Sequence, residues 1–276
     1  MLTLEEISLK KKIEENSVQL QQLKIRFNRG ITTGLNDAFL LNEDQKKEII
    51  SLDENNLNLI KPILKGKEIL KYRLLKNSTY LINSHNGLKK LKIQPINVIE
   101  SYPCIHDHLL KYKDQLQIRQ DQGDNWFNLR NCTYLTDFEQ DKIVFTKASK
   151  EPAFCLDRKQ HYLLNTSYFI VGENLEYLTV LLNSSLIKYA FMKFYQSGGI
   201  YGEITIQALK ILPIKKPDNA TKQKICSLLA EVDSLEINDY LAFKKLENDM
   251  DEEIFKIYNL NFEEINLIKK SVNNQI

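Results

Sequence analysis

The stretch RFNRGITTGLNDAF, Arg26 to Phe39, decides how the rest of the chain is read. It reads as a strand over about Leu23–Phe27, a loop from Gly30 to Gly34, and a short strand over Ala38–Leu41. Two glycines let the backbone turn sharply and leave amide N–H groups open to a partner. Thr32 and Thr33 between them, with Arg26 and Arg29 just ahead, suit phosphate oxygens or the edges of bases. The same composition also serves an ordinary solvated turn, so the weight falls on what surrounds it.

Upstream, residues 2–22 space Leu4, Ile7, Leu9, Ile13, Val18 and Leu20 as a thin apolar stripe, which predicts a linker or docking helix. Downstream, Asn42 stands as the N-cap of a helix through about Ile50, and Asn55–Leu64 reads as another short helix ended by Gly66. Lys65, Lys67, Lys71 and Arg73 then surround Tyr72, a cationic and aromatic mixture that suits phosphates and stacked bases. A strand at Thr79–Ile82 precedes an Asn86-Gly87 turn, and a helix broken at Pro103 is expected over Ile96–Arg119. His106 and His108, two apart on that helix, face different ways and cannot chelate one metal together. The loop IRQDQGDNWFNLR, Ile118–Arg130, offers Asn125, Trp126 and Arg130 for reading or stacking on a base, although Trp126 equally suits an anchor in the core. Strands follow at Lys142–Thr146, Ala153–Leu156 and Tyr162–Gly172, the last interrupted by a turn, then an apolar helix over Leu175–Tyr195 ended by Gly198 and Gly199. A short strand at Glu203–Ile206 leads to ILPI, Ile211–Ile214, and from Asn219 the pattern is helical.

Of the 276 residues 43% are hydrophobic and 27% charged, as in a folded globular protein able to bury a core. No apolar run approaches the roughly 20 residues that span a bilayer, which predicts no membrane association. Four scattered cysteines with no Cys-x-x-Cys pair predict reduced thiols in a cytoplasmic protein and no zinc site. The net charge of +2 hides a segregation. Residues 218–276 hold twelve acids and seven lysines, a local charge of −5, so residues 1–217 carry +7. Lys61–Lys92 alone has nine cations against Glu68, the footprint of a surface for a polyanion. The expected organisation is a docking helix over 1–25, a recognition domain over 26–217 and a helical tail over 218–276, in an α+β class.

No nucleotide-binding glycine loop, Gly-x-Ser-x-Gly elbow, His-Glu-x-x-His pair or Asn/Asp-Pro-Pro-Tyr tetrapeptide is present. The nearest approach to a catalytic motif is Asp157-Arg158-Lys159 with Asp141 sixteen residues before it, which as a nuclease would bind a metal ion with Asp141 and Asp157 and position water with Lys159.

Seven blocks together resemble the TaqI-like C-terminal specificity domain of adenine-N6 DNA methyltransferases and type II (IIG) restriction-modification enzymes. They are RGITTGLNDAF, IKPILKGKEILKYR (60–73), YPCIHDHLLKYKDQLQIR (102–119), GDNWFNLR (123–130), KIVF (142–145), LTVLLNSSL (178–186) and ILPI, in the family's order. The resemblance implies a β-rich α+β target-recognition domain with packed helices, without a catalytic residue or metal of its own. It implies double-stranded DNA as a partner, with a methyltransferase domain or subunit that carries S-adenosylmethionine, and Mg²⁺ where a nuclease is attached. The residues assigned to DNA are Arg26, Arg29, Thr32, Thr33, Lys65, Lys67, Lys71, Tyr72, Arg73, Asn125, Trp126 and Arg130. Competing expectations are a half-length type I specificity subunit, although no internal repeat is found, the nuclease above, and a protein-docking scaffold.

Overall fold

The computed structural model describes residues 2–146, 153–195 and 204–273. Its centre is an antiparallel sheet in which Ile25–Arg29, Ser167–Gly172, Lys142–Thr146 and Phe154–Asp157 lie side by side. The run KIVF is apolar at consecutive positions because both faces of its strand are covered. Ile143 and Phe145 enter one core with Phe154 and Ile170. Val144 enters the other with Cys155, Phe169 and Val171. The register Phe169↔Val144↔Cys155 stacks the second set on one face.

The first core is closed by helices. Leu175–Asn183 and Ser185–Ala190 are apolar nearly all round, and Leu4–Glu14, Asn219–Ser234, Tyr240–Ile257 and Phe262–Asn273 add one stripe each. Asp218 caps the first tail helix, its Oδ1 accepting from the Thr221 N–H at 2.8 Å. ILPI ties chain start to chain end. Pro213–Ile214 pairs with Val18–Gln19, and the Tyr258 hydroxyl donates to the Pro213 carbonyl at 2.8 Å. The segments that charge and period set apart thus share one apolar core, from Leu9 to Val272.

The second core lies under a smaller sheet. Ile60–Leu64 sits between Thr79–Ile82, antiparallel, and Tyr162–Leu163, parallel, with Leu40–Asn42 on the far side of Thr79–Ile82. Short helices at Val98–Ser101, Pro103–Leu110 and Lys113–Ile118 supply Val98, Ile105, Leu109 and Leu116 to this core.

The α+β class stands, and several local expectations change. Only residues 55–58 of the expected helix at 55–64 are helical, within the 3₁₀ turn Glu54–Asn58. Ile60–Leu64 is a strand because Pro62 disfavours a helix interior and the apolar run is short. The helix expected over 96–119 breaks at Pro103 as expected, Pro103 opening the second segment, and breaks again at Tyr112. The helix from Leu175 breaks at Ser184, whose hydroxyl caps the next segment. The N-terminal helix ends at Glu14, where residues up to 22 were expected to continue it. Ile206 begins a helix capped by Thr205 where the end of a strand was expected; Glu203, Gly198 and Gly199 lie outside the described residues. Asn86-Gly87 closes no hairpin of strands; a single bridge, Leu88↔Ile93, holds that loop.

Candidate nucleic-acid interface

Three loops that lie far apart in sequence meet at one place, and Arg119 joins two of them. Its side chain crosses Phe39, with the guanidinium carbon 4.7 Å from the ring centre. Its Nη1 donates to the Thr33 carbonyl, and its Nη2 donates to the carbonyls of Trp126, at 3.1 Å, and Asn128. Arg119 is buried, and desolvation pulls its guanidinium down to about 10, although nearby Asp121 favours the charged form. The turn at Gly34, with φ +71°, packs against the Arg119 stem and Asp121. Gly30 has no room for a side chain, since a Cβ would stand 2.0 Å from the Leu164 carbonyl oxygen.

Asparagines join the third loop to this pair. Asn86 donates to the Asn131 side chain at 2.6 Å and accepts from the Asp124 N–H at 2.7 Å. Asn128 donates to Ser84 Oγ and to the Ile96 carbonyl, and the Leu129 N–H reaches the Ser84 carbonyl at 2.7 Å. Loops 30–34, 83–97 and 119–131 are thereby set as one platform with Gln120, Gln122, Asp124, Asn125 and Asn131 exposed on it.

Beside the platform stand three arginines. Arg26 and Arg29 lie three positions apart on the outer strand of the central sheet, leave its opposite faces and are both exposed. Arg26 grips Asp137 through Nε and Nη2, at 3.3 and 2.8 Å. Arg29 donates only its Nε, to the Asn165 carbonyl, and keeps its terminal nitrogens free among the described residues. Arg130 pairs with Asp121 at 2.7 Å and remains largely exposed. Both Arg29 and Arg130 act electrostatically on Tyr134, whose hydroxyl is nevertheless raised because burial outweighs them. A partly open cavity of about 200 Å³ lies at the other end of the third loop, lined by Lys61, Asn83, His85, Tyr102, Glu139 and Tyr162. Burial there holds His85 below its ordinary range.

The remaining sequence candidates divide. Thr32 is half-buried, and Thr33 is buried with its hydroxyl on Asn36. Lys67 is exposed and Lys65 half-buried at the 3₁₀ turn that leads from Ile60–Leu64 into the hairpin of Ile69–Leu70 and Arg73–Leu74. Asn125 is exposed, its side chain bonded to Asn128, and Trp126 packs between His106 and Phe127. Lys71, Tyr72 and Arg73 are engaged elsewhere. Lys71 pairs with Glu247 at 2.7 Å, Tyr72 is buried against Phe243, and Arg73 stacks on Phe243. These three clasp the acidic tail helix Tyr240–Ile257, so their composition reflects a contact within the protein.

The acid-x-Lys triplet also resolves. The Asp157 carboxylate is fully buried and accepts from Lys142 at 3.0 Å, His161 Nδ1 at 2.9 Å, and the N–H groups of Lys159 and His161. Burial alone would raise it, but the hydrogen bond from His161 and the charge of Lys142 hold it below the usual carboxylate range. Every oxygen of Asp157 is thus engaged within the fold, and among the described residues no cluster of three or more His, Cys, Asp or Glu side chains is placed to hold a metal ion. No helix among them is long and apolar enough to cross a membrane. Arg119, the residue that organises the platform, was not among the sequence candidates. Its partners are backbone carbonyls, which leave no mark in a sequence.

Two four-stranded sheets and a helical layer thus carry one polar loop platform. The chain belongs to the TaqI-like C-terminal specificity domain family, whose sequence model matches residues 61–214. The type II methyltransferase M.MjaIV of Methanocaldococcus jannaschii is 26% identical over 216 residues, covering 74% of this chain and 69% of that protein. Among solved structures, the type IIL restriction-modification enzyme MmeI in complex with DNA aligns with 94% of this chain at a TM-score of 0.58 and 12% identity. The type IIG restriction endonuclease BpuSI aligns with 93% at a TM-score of 0.47 and 15% identity. The chain spans 37% and 34% of the lengths of those two.

Proposed function

We propose that this chain is the DNA target-recognition module of a restriction-modification system. It binds a duplex and directs an adenine-N6 methyltransferase domain or partner, with S-adenosylmethionine, to its site; where a nuclease accompanies it, that domain brings Mg²⁺. The observation that carries the reading is the loop platform locked by Arg119 beside Arg26, Arg29 and Arg130. Rigid polar loops can present Asn125 and its exposed neighbours to base edges, at about 1–3 kcal/mol of discrimination per well-read pair. Arg26, Arg29 and Arg130, with Lys65, Lys67 and the half-buried Thr32, supply contacts to phosphates that set register, whereas the Thr33 hydroxyl is held by Asn36. Lys71, Tyr72 and Arg73 have no part in this, since they hold the tail. Family membership and the relative's designation as a type II methyltransferase support the same reading.

The test is duplex binding by fluorescence anisotropy across a salt series, with a random-sequence pool from which retained duplexes are sequenced. Affinity that falls steeply with salt together with an enriched motif is the expected result. Absence of duplex binding at low salt overturns the reading and leaves a protein-docking scaffold.

A further inference from the structure

The cavity of about 200 Å³ shares a wall with the recognition platform. Residues 83–86 make that wall by turning their side chains to alternate sides. Ser84 and Asn86 bond the platform residues Asn128 and Asn131, whereas Asn83 and His85 line the cavity. Asn83 donates to the Tyr162 hydroxyl at 3.1 Å, and both residues line the floor. The volume lies below the range of drug-sized sites and suits a single ring system. Leu59 and Leu135, both buried, close the inner end, and half-buried Ile93, Ile96 and Tyr102 flank it. Asn58 and Glu139 also line it and are exposed, so its mouth opens to solvent.

The accessible polar groups of this lining are not engaged with one another. His85 Nδ1 accepts from the Gly87 N–H at 3.1 Å, which leaves the Nε2–H of the neutral ring as a donor. Burial holds His85 below its ordinary range, so the neutral form prevails at pH 7. Lys61 and Glu139 act on His85 in opposite senses, so both charges stand near it. Neither side chain forms an ion pair or hydrogen bond among the described residues. Two donors and one carboxylate therefore converge on a space the size of one ring system.

We propose that this cavity takes up one unpaired guanine base of the bound DNA. Guanine alone among the four bases presents two adjacent N–H donors beside a carbonyl acceptor on its pairing edge. The Glu139 carboxylate accepts from both donors, while Lys61 and His85 donate to the carbonyl. Ile93, Ile96 and Tyr102 cover the faces of the ring. A base still paired in the duplex cannot enter a closed cavity, so the occupant is one that has left the stack. It is distinct from the adenine that a methyltransferase partner receives. The pocket rests on the DNA-recognition reading and extends it, since the platform meets paired bases and the cavity behind residues 83–86 holds an unpaired one.

Fluorescence anisotropy on the whole chain tests it, with pools of duplexes that have random flanks around a central position. That position is either fully paired or carries a single-nucleotide bulge of guanine, adenine, cytosine or thymine. The guanine-bulged pool is expected to bind roughly tenfold or more tighter than the paired pool and the other bulges. Glu139→Gln, at an exposed position, should abolish that preference with melting temperature unchanged, because an amide cannot accept from both donors. Lys61→Met should weaken it as well. Equal binding of the four bulged pools, or a guanine preference that survives Glu139→Gln, overturns the proposal. Binding of free guanosine 5′-monophosphate without any preference among bulges also overturns it, and assigns the cavity to a free nucleotide. Absence of binding to every pool, the paired one included, fails the recognition reading itself, whereas paired binding with no guanine preference fails the pocket alone.

Discussion

Replacing Lys142 by methionine removes one half of a fully buried ion pair, together with the hydrogen bond from its Nζ to the Phe138 carbonyl at 2.7 Å. Neither side chain of the Lys142–Asp157 pair has any exposure, and their atoms are 3.0 Å apart. Breaking such a pair from one side costs about 3–5 kcal/mol, because the remaining charge is stranded. Asp157 retains His161 and two backbone N–H groups, which places the loss near the lower end, at about 3 kcal/mol at pH 7. The carboxylate of Asp157 is held below its ordinary range in the folded protein. It therefore adds stability above the unfolded carboxylate pKa, and that stability is lost as pH falls through the lower folded value. In the variant, burial without the lysine raises the folded value, and protonation relieves the stranded charge. The deficit should be largest at pH 7 and shrink towards about pH 4. Urea denaturation followed by the fluorescence of Trp126, the single tryptophan, measures both points. Lys142→Met/Asp157→Asn, which removes both charges and keeps an acceptor for the Lys159 and His161 N–H groups, should recover part of the loss. A deficit below about 1 kcal/mol at pH 7, or one equal at both pH values, would refute the assignment of this pair as a structural bridge between strands.

Arg29→Ala should lower the slope of log affinity against log salt by about 0.9 if its guanidinium meets one phosphate, whereas Lys71→Ala should leave that slope alone and cost about 1 kcal/mol through Glu247. Equal slopes for both variants would mean that the division between DNA face and tail clasp is wrong. Arg119→Met leaves carbonyls of two loops without donors, at about 1–3 kcal/mol each, and should blur the enriched DNA motif while the salt slope stays unchanged; an unblurred motif would remove Arg119 from the recognition platform. Gly30→Ala drives a methyl group into the Leu164 carbonyl and should destabilise the chain by at least about 1–3 kcal/mol in urea melts, a neutral result implying a different path for that loop.

Much of the frame was legible because its determinants are local. KIVF declared a strand, and Asn42 capped its helix as expected, accepting from the Gln45 N–H at 2.8 Å. What escaped depends on distant partners. Lys71, Tyr72 and Arg73 have the composition of a nucleic-acid contact, yet their neighbours are Ile237, Phe243 and Glu247, more than 160 positions away. Asp157-Arg158-Lys159 suggested a metal site, whereas strand register delivers Lys142 to Asp157. Arg119 follows a helix end, where an arginine ordinarily meets solvent, and only the meeting of two loops gives it its carbonyls. Trp126 was open between core anchor and base reader; it is half-buried and packs on His106 and Phe127.

The central sheet has a consequence for exchanging specificities between related proteins. Neighbouring residues of one strand belong to different cores, Val144 to one and Ile143 and Phe145 to the other. A graft with its crossover at Pro217, where the charge changes sign, would part the helical layer from Ile170, Leu178 and Ile214, with which it evolved to fit. The transplantable pieces are the surface loops 83–97 and 119–131, moved together with Arg119 and the Gly30–Gly34 turn that it holds. Recombinants built on that unit should keep the cooperative melting of the parent, while those cut at residue 217 should unfold in more than one step.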